Sequence, residues 1–197
     1  MVKSFIHKLS GLIWNKTFPH LFGLFFLCFS VQFLLFSQEG NETGLLPVYN
    51  FSSINYNAQE QNFAIAEDKR GLMYFANSDG VLEYDGKNWR LIKLGDKRAR
   101  SLTTDNYGRV YVGSENDFGF LAPDSIGKMQ FNTLLSGIPE EYHDFQVVWS
   151  VYSRDNEVFF QTDNYIFIWN GKETRIVKSE KRVVAFFLVD NQFYGKI

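Results

Sequence analysis

FAIAEDKRGLMYFANSDGVLEYDGKNW, residues 63–89, is the stretch whose reading decides the fold. Its three short apolar or aromatic runs are each stopped by turn chemistry: Asp68-Lys69-Arg70-Gly71, Asn77-Ser78-Asp79-Gly80 and Asp85-Gly86-Lys87-Asn88. Glycine accepts the positive φ of a tight turn, and Asn and Asp side chains bond their own backbone there. Runs of about five residues between such turns are too short for helices and fit antiparallel strands. The unit therefore reads as a four-stranded meander with strands near 62–67, 72–76, 81–84 and 89–94.

The same pattern recurs along the chain. Residues 101–112 repeat the first strand, turn and second strand 37 positions on, with Asp105 on Asp68, Gly108 on Gly71 and Tyr111 on Tyr74. Residues 151–160 form a third copy, and 166–172 follow 85 positions after 81–87. A fourth copy begins at Val184 and includes Asp190-Asn191-Gln192-Phe193-Tyr194. The turn aspartates are thus 37, 50 and 35 residues apart. Self-similarity at about 40 residues with four strands per unit marks a β-propeller. A lone meander exposes an apolar face, whereas stacked blades bury it against their neighbours.

The expected fold is all-β, with propeller blades of four antiparallel strands near 61–96, 99–133, 147–178 and 183–197. This makes an incomplete ring of about three and a half blades, fewer than the roughly four to eight of closed propellers. The chain is accordingly expected to be the beginning of a longer product. Left alone, it would present an open sheet edge and an apolar blade face that favour association.

The first 38 residues carry Lys3, Lys8 and Lys16 and no acid, and 21–36, LFGLFFLCFSVQFLLF, is almost wholly apolar. A membrane span takes about 20 such residues. The basic start, shorter apolar core and small Ser37 read as a secretory signal over 1–37, with an uncleaved anchor as the alternative. Either places the remainder outside the cytoplasm. Cys28, the single cysteine, lies inside that apolar core, so the mature part has no disulfide and no thiolate metal site. Without the three leader lysines, 17 basic residues stand against 22 acidic ones, a net charge of −5. Such a balance disfavours nucleic acid or an anionic membrane as partner.

Residues 38–56 read as a linker, 39–44 polar and 45–56 apolar and aromatic. Leu45–Tyr56 fits either a strand that closes the ring or an arm lying on the first blade. Lys97-Arg98-Ala99-Arg100 reads as a solvated connection between blades.

The longest departure from the repeat is LLSGIPEEYHDFQ, residues 134–146, which accounts for the 50-residue interval. Pro139 before Glu140-Glu141 suits the first turn of a short helix, with the acids at its positive end. Loops that interrupt a regular scaffold often carry binding. Glu140, Glu141, Tyr142, His143 and Asp144 are therefore the candidate ligand-binding residues.

No catalytic, metal or cofactor motif accompanies them. Asp117-Phe118-Gly119 matches the magnesium-binding triplet of protein kinases, but no glycine-rich phosphate loop or His-Arg-Asp loop goes with it. His143 is the only histidine after the leader, and one histidine among acids is a weak metal signal. The Asp-Gly pairs lack the alternating oxygen ligands of a calcium loop.

The segment 61–77, with Tyr74-Phe75-Ala76-Asn77, followed by Gly80-Val81-Leu82-Glu83-Tyr84-Asp85-Gly86 and Trp89, resembles the two-component regulator propeller family. The resemblance covers roughly residue 46 onward. It implies an exported bacterial sensor region, followed in the same protein by a membrane span and an output module such as a histidine kinase or helix-turn-helix regulator. On that reading the segment is not itself an enzyme and takes no cofactor. It binds a small molecule or glycan fragment on the periplasmic side and passes on a change of shape or homodimerisation. A glycan-active propeller enzyme and an adhesion or assembly propeller are the alternative classes. The motifs that carry the likeness are turns and packing strands, so it supplies no ligand-contact residue.

Overall fold

The computed structural model describes residues 48–197. The leader read over 1–37, and the linker as far as residue 47, lie outside the described residues. The described chain forms three four-stranded antiparallel sheets and one two-stranded sheet, each built in chain order. Blade one comprises β1 (Asn62–Glu67), β2 (Met73–Asn77), β3 (Gly80–Tyr84) and β4 (Trp89–Ile92). Blade two comprises β5 (Ala99–Thr104), β6 (Val110–Ser114), β7 (Phe118–Pro123) and β8 (Met129–Thr133). Blade three comprises β9 (Ser150–Arg154), β10 (Glu157–Gln161), β11 (Tyr165–Trp169) and β12 (Thr174–Lys178). The hairpin β13 (Ala185–Val189) and β14 (Gln192–Lys196) follows. The fold is thus all-β with propeller blades, and its described strands make an unclosed ring.

Local turn chemistry sets the meanders. Asp68 is buried, and its Oδ1 accepts the N–H groups of Arg70 at 2.8 Å and Leu72 at 3.2 Å. Its Oδ2 accepts Arg70 Nη2 at 2.6 Å and the Tyr74 hydroxyl at 3.3 Å. Asp105 repeats the arrangement with the N–H groups of Tyr107 and Arg109 and the Tyr111 hydroxyl. Burial raises the Asp68 carboxyl, but the hydrogen bonds from Arg70 and Leu72 outweigh it and hold the group below the usual carboxylate range.

A depressed folded pKa stabilises fully above the unfolded value of about 3.9, and the benefit disappears as pH falls through the folded value. Asp68→Asn is therefore expected to cost about 1–3 kcal/mol at pH 7. Urea unfolding at pH 7 and pH 3 checks this: the gap between wild type and variant should narrow in acid. A gap independent of pH would show that the ionised carboxylate is not what organises the turn.

Blades stack through their first strands, β1 on β5 and β5 on β9. Between blades one and two lie Tyr74, Ala76, Val81, Ile92, Val112 and Leu121. Between blades two and three lie Tyr111, Phe118, Val151, Val158, Phe160 and Phe167. Ser101 Oγ adds a polar tie across that joint, donating to the Val148 carbonyl at 2.9 Å.

Residues 48–56 form no strand; Ser53–Tyr56 is one helical turn. Phe51 packs 5.3 Å from both Tyr84 and Trp89, and Tyr56 packs 5.4 Å from Trp89. The basic run 97–100 differs from its reading as a solvated connection. Pairing of Ala99 with Ser114 lays it alongside the β6–β7 turn. Lys97 Nζ there reaches Asp117 Oδ2 at 2.7 Å and Arg100 Nη2 reaches Glu115 Oε1 at 2.8 Å.

Candidate functional site

In an antiparallel meander successive connections alternate between the two ends of the strands. The β8–β9 loop, 134–146, therefore lies at the same end as the β6–β7 turn. The bond from Asn116 N–H to the Gln146 carbonyl, 2.8 Å, ties the two together. Leu134, Ile138 and Phe145 are buried in the core between blades two and three, so the loop is fastened by its own apolar residues. Between these anchors run two short 3-10 turns, Leu135–Gly137 and Glu140–Tyr142, the second preceded by Pro139.

The five candidate residues differ in exposure. Glu140, Glu141 and Asp144 are exposed, whereas Tyr142 and His143 are half-buried. His143 Nε2 donates to the Ile138 carbonyl oxygen at 2.9 Å, which makes the imidazole part of the loop's own bracing. Tyr142 meets Tyr165 edge-on with ring centroids 5.7 Å apart. Hydrogen bonding to Glu141 raises the Tyr142 hydroxyl, and hydrogen bonding to Asp144 does the same for Tyr165. The arrangement supplies hydrogen-bond acceptors next to aromatic edges, a chemistry suited to hydroxyl-rich ligands. Among the described residues no three His, Cys, Asp or Glu side chains gather as a metal-binding group.

Asp117 of the kinase-like triplet has structural partners. It is buried, takes Lys97 and Thr133 on its carboxylate, and holds the Phe118 N–H at 2.8 Å. Its place is the turn before β7.

At the other end of the strands a cleft of about 460 Å³ opens between blades one and two. Arg70, Glu83, Arg90, Tyr107 and Arg109 line it. A second cleft of about 360 Å³ separates blades two and three, and Tyr107 and Arg109 line that one as well. Tyr107 is 80% exposed on the ridge between them. Glu83 is 3% exposed; its Oε1 accepts Arg90 Nη2 at 2.5 Å, while Oε2 has no hydrogen-bond partner in the protein. Burial, then the charges of Glu83 and Asp68, hold the nearby Tyr74 hydroxyl above its ordinary range.

The cleft was not among the sequence expectations, although one signal was present. Glu83 faces Tyr74 across the ladder, Phe120 faces Tyr111, and Ile168 faces Phe159. At one position of the repeat, blade one therefore carries a carboxylate where its neighbours carry apolar side chains.

The architecture defines a class, the blade array of a β-propeller. No family model matches the chain, and no curated protein matches it. Among solved structures it is similar to the extracellular domain of a protein from B. thetaiotaomicron assigned as a hybrid two-component system. That likeness has a TM-score of 0.57 at 14% identity, over 74% of this chain and 21% of that one. The chain therefore spans about a fifth of the length of that structure. A protein of unknown function from Bacteroides caccae aligns with a TM-score of 0.42 at 15% identity, over 66% of this chain and 50% of that one. At these identities the likeness is one of fold.

Proposed function

We propose that this chain is the ligand-binding propeller region of an exported sensor of the two-component type, on the periplasmic side of a bacterial inner membrane. The observation that carries this reading is the 134–146 loop. It breaks the repeat, is anchored by Leu134, Ile138 and Phe145, and turns Glu140, Glu141 and Asp144 to solvent. Support comes from the resemblance of 61–89 to regulator propellers and from the fold shared with the extracellular domain of a hybrid two-component system protein. Among the described residues no helix is long and apolar enough to cross a membrane. The ligand is a small molecule or glycan fragment, and its binding is passed by shape change or homodimerisation to a membrane span and output module of the same protein. The region acts by binding, without catalysis: the recurring carboxylates Asp68 and Asp105 are taken up by turn N–H groups.

Calorimetric titration of the full chain with a panel of neutral oligosaccharides tests the reading, and at least one is expected to bind. Replacing Glu140, Glu141, Tyr142, His143 and Asp144 by Gly and Ser should preserve the β-sheet circular dichroism. The affinity should fall by on the order of tenfold or more. An unaltered affinity in the folded variant removes the loop as a site, and a panel without any binder removes the glycan assignment.

A further inference from the structure

The geometry points to a second binding site, for an acidic saccharide, in the cleft between blades one and two. It lies at the opposite end of the strands from the 134–146 loop and does not depend on that loop. Four observations converge there.

The cleft, at about 460 Å³, falls within the range of roughly 300–1,000 Å³ typical of small-molecule sites. Its charged lining comprises Arg70, Arg90 and Arg109 against Glu83 alone, which favours an anion. Arg70 and Arg90 are 64% and 51% exposed, so their guanidinium groups reach solvent while each keeps a carboxylate partner. Among the described residues Arg109 forms no ion pair, and its guanidinium lies 4.9 Å from the Phe120 ring centroid. A guanidinium offers five donors in a planar fork that fits a carboxylate on two points.

Glu83 supplies the second half of the recognition. A buried carboxylate with one oxygen unpartnered opposes folding unless something donates to it. Blades two and three, with Phe120 and Ile168 at that register, show that the scaffold itself has no need of the charge. Oε2 is covered in the free protein, so a sugar hydroxyl, a donor of the right kind, reaches it when the half-exposed Arg90 side chain shifts onto the ligand; a uronate carries hydroxyls beside its carboxylate. Tyr107, exposed on the ridge, offers a flat ring for the C–H face of a pyranose. An inorganic anion would satisfy the arginines only; a neutral sugar would satisfy Glu83 and Tyr107 only.

The test is calorimetric titration of the full chain with digalacturonate, with the neutral disaccharide galactobiose, and with sulfate. Digalacturonate is expected to bind, and the other two at least about tenfold more weakly. Arg109→Ala should weaken digalacturonate on the order of 10- to 100-fold. Glu83→Leu should weaken it while raising the melting temperature, because an apolar side chain replaces a half-satisfied buried charge. That opposite movement separates recognition from a structural role, which would lower both. Replacement of residues 140–144 should leave digalacturonate binding unchanged, so failure of the loop reading and failure of this one are told apart. Equal affinity for galactobiose, equal affinity for sulfate, no binding of digalacturonate, or indifference to both cleft variants would each overturn the assignment.

Discussion

Phe118→Ala is expected to lower the unfolding free energy by about 3–5 kcal/mol, the cost of emptying a large aromatic site in a packed core. For a domain of this size the melting temperature should fall by on the order of 10 °C. Phe118 is fully buried on β7, and its ring lies 4.7 Å from those of both Phe160 and Phe167 in blade three. The Phe145 ring of the 134–146 loop lies 6.0 Å away. One truncation thus loosens the joint between two blades and the anchor of the loop together. Differential scanning calorimetry gives the size of the effect, and limited proteolysis should show earlier cutting within 134–146. A fall of under about 1 kcal/mol would mean that the aromatic cluster does not join these blades.

Gly80→Ala should be nearly as damaging, at about 2–5 kcal/mol, from two causes that add. Gly80 has φ +137°, a conformation that an L side chain rarely adopts. A Cβ there would run into the carbonyl oxygen of Ile92 and sit 3.2 Å from the Lys93 Cα. Both neighbours are backbone at the end of β4, so no rotamer change relieves the overlap, and β3 and β4 must part. At Gly71, φ +80°, the nearest atom to a Cβ is the far end of Glu67 at 3.9 Å, which leaves the conformational cost of about 1–2 kcal/mol alone. Chemical denaturation of the two variants side by side measures the difference. Equal losses would show that the approach of β4 to Gly80 is not the constraint.

The blades were legible because their causes are local. Each strand lies between turns whose Asp, Asn and Gly residues act within a few positions of themselves. Asp68 holding the N–H groups of Arg70 and Leu72 is such a case, repeated by Asp105. The spacing of those turns, together with the short apolar or aromatic runs between them, was enough for the strand order of each meander. The 134–146 loop was legible for the same reason, as a break in that spacing.

What only the tertiary structure decided comes from contacts between residues distant in the chain. By sequence Gly80 is a turn residue; the carbonyl of Ile92 against it appears once β3 and β4 pair. The run 97–100 is a basic patch until the register of β5 and β6 sets Asp117 and Glu115 opposite its charges. His143 finds its partner, the Ile138 carbonyl, only when the loop folds back on itself. Arg70, Glu83, Arg90 and Arg109 come from four strands or turns of two blades, and neither period nor spacing brings them together. Their common cleft forms where blades one and two stack, with Tyr74, Val81, Val112 and Leu121 packed between them.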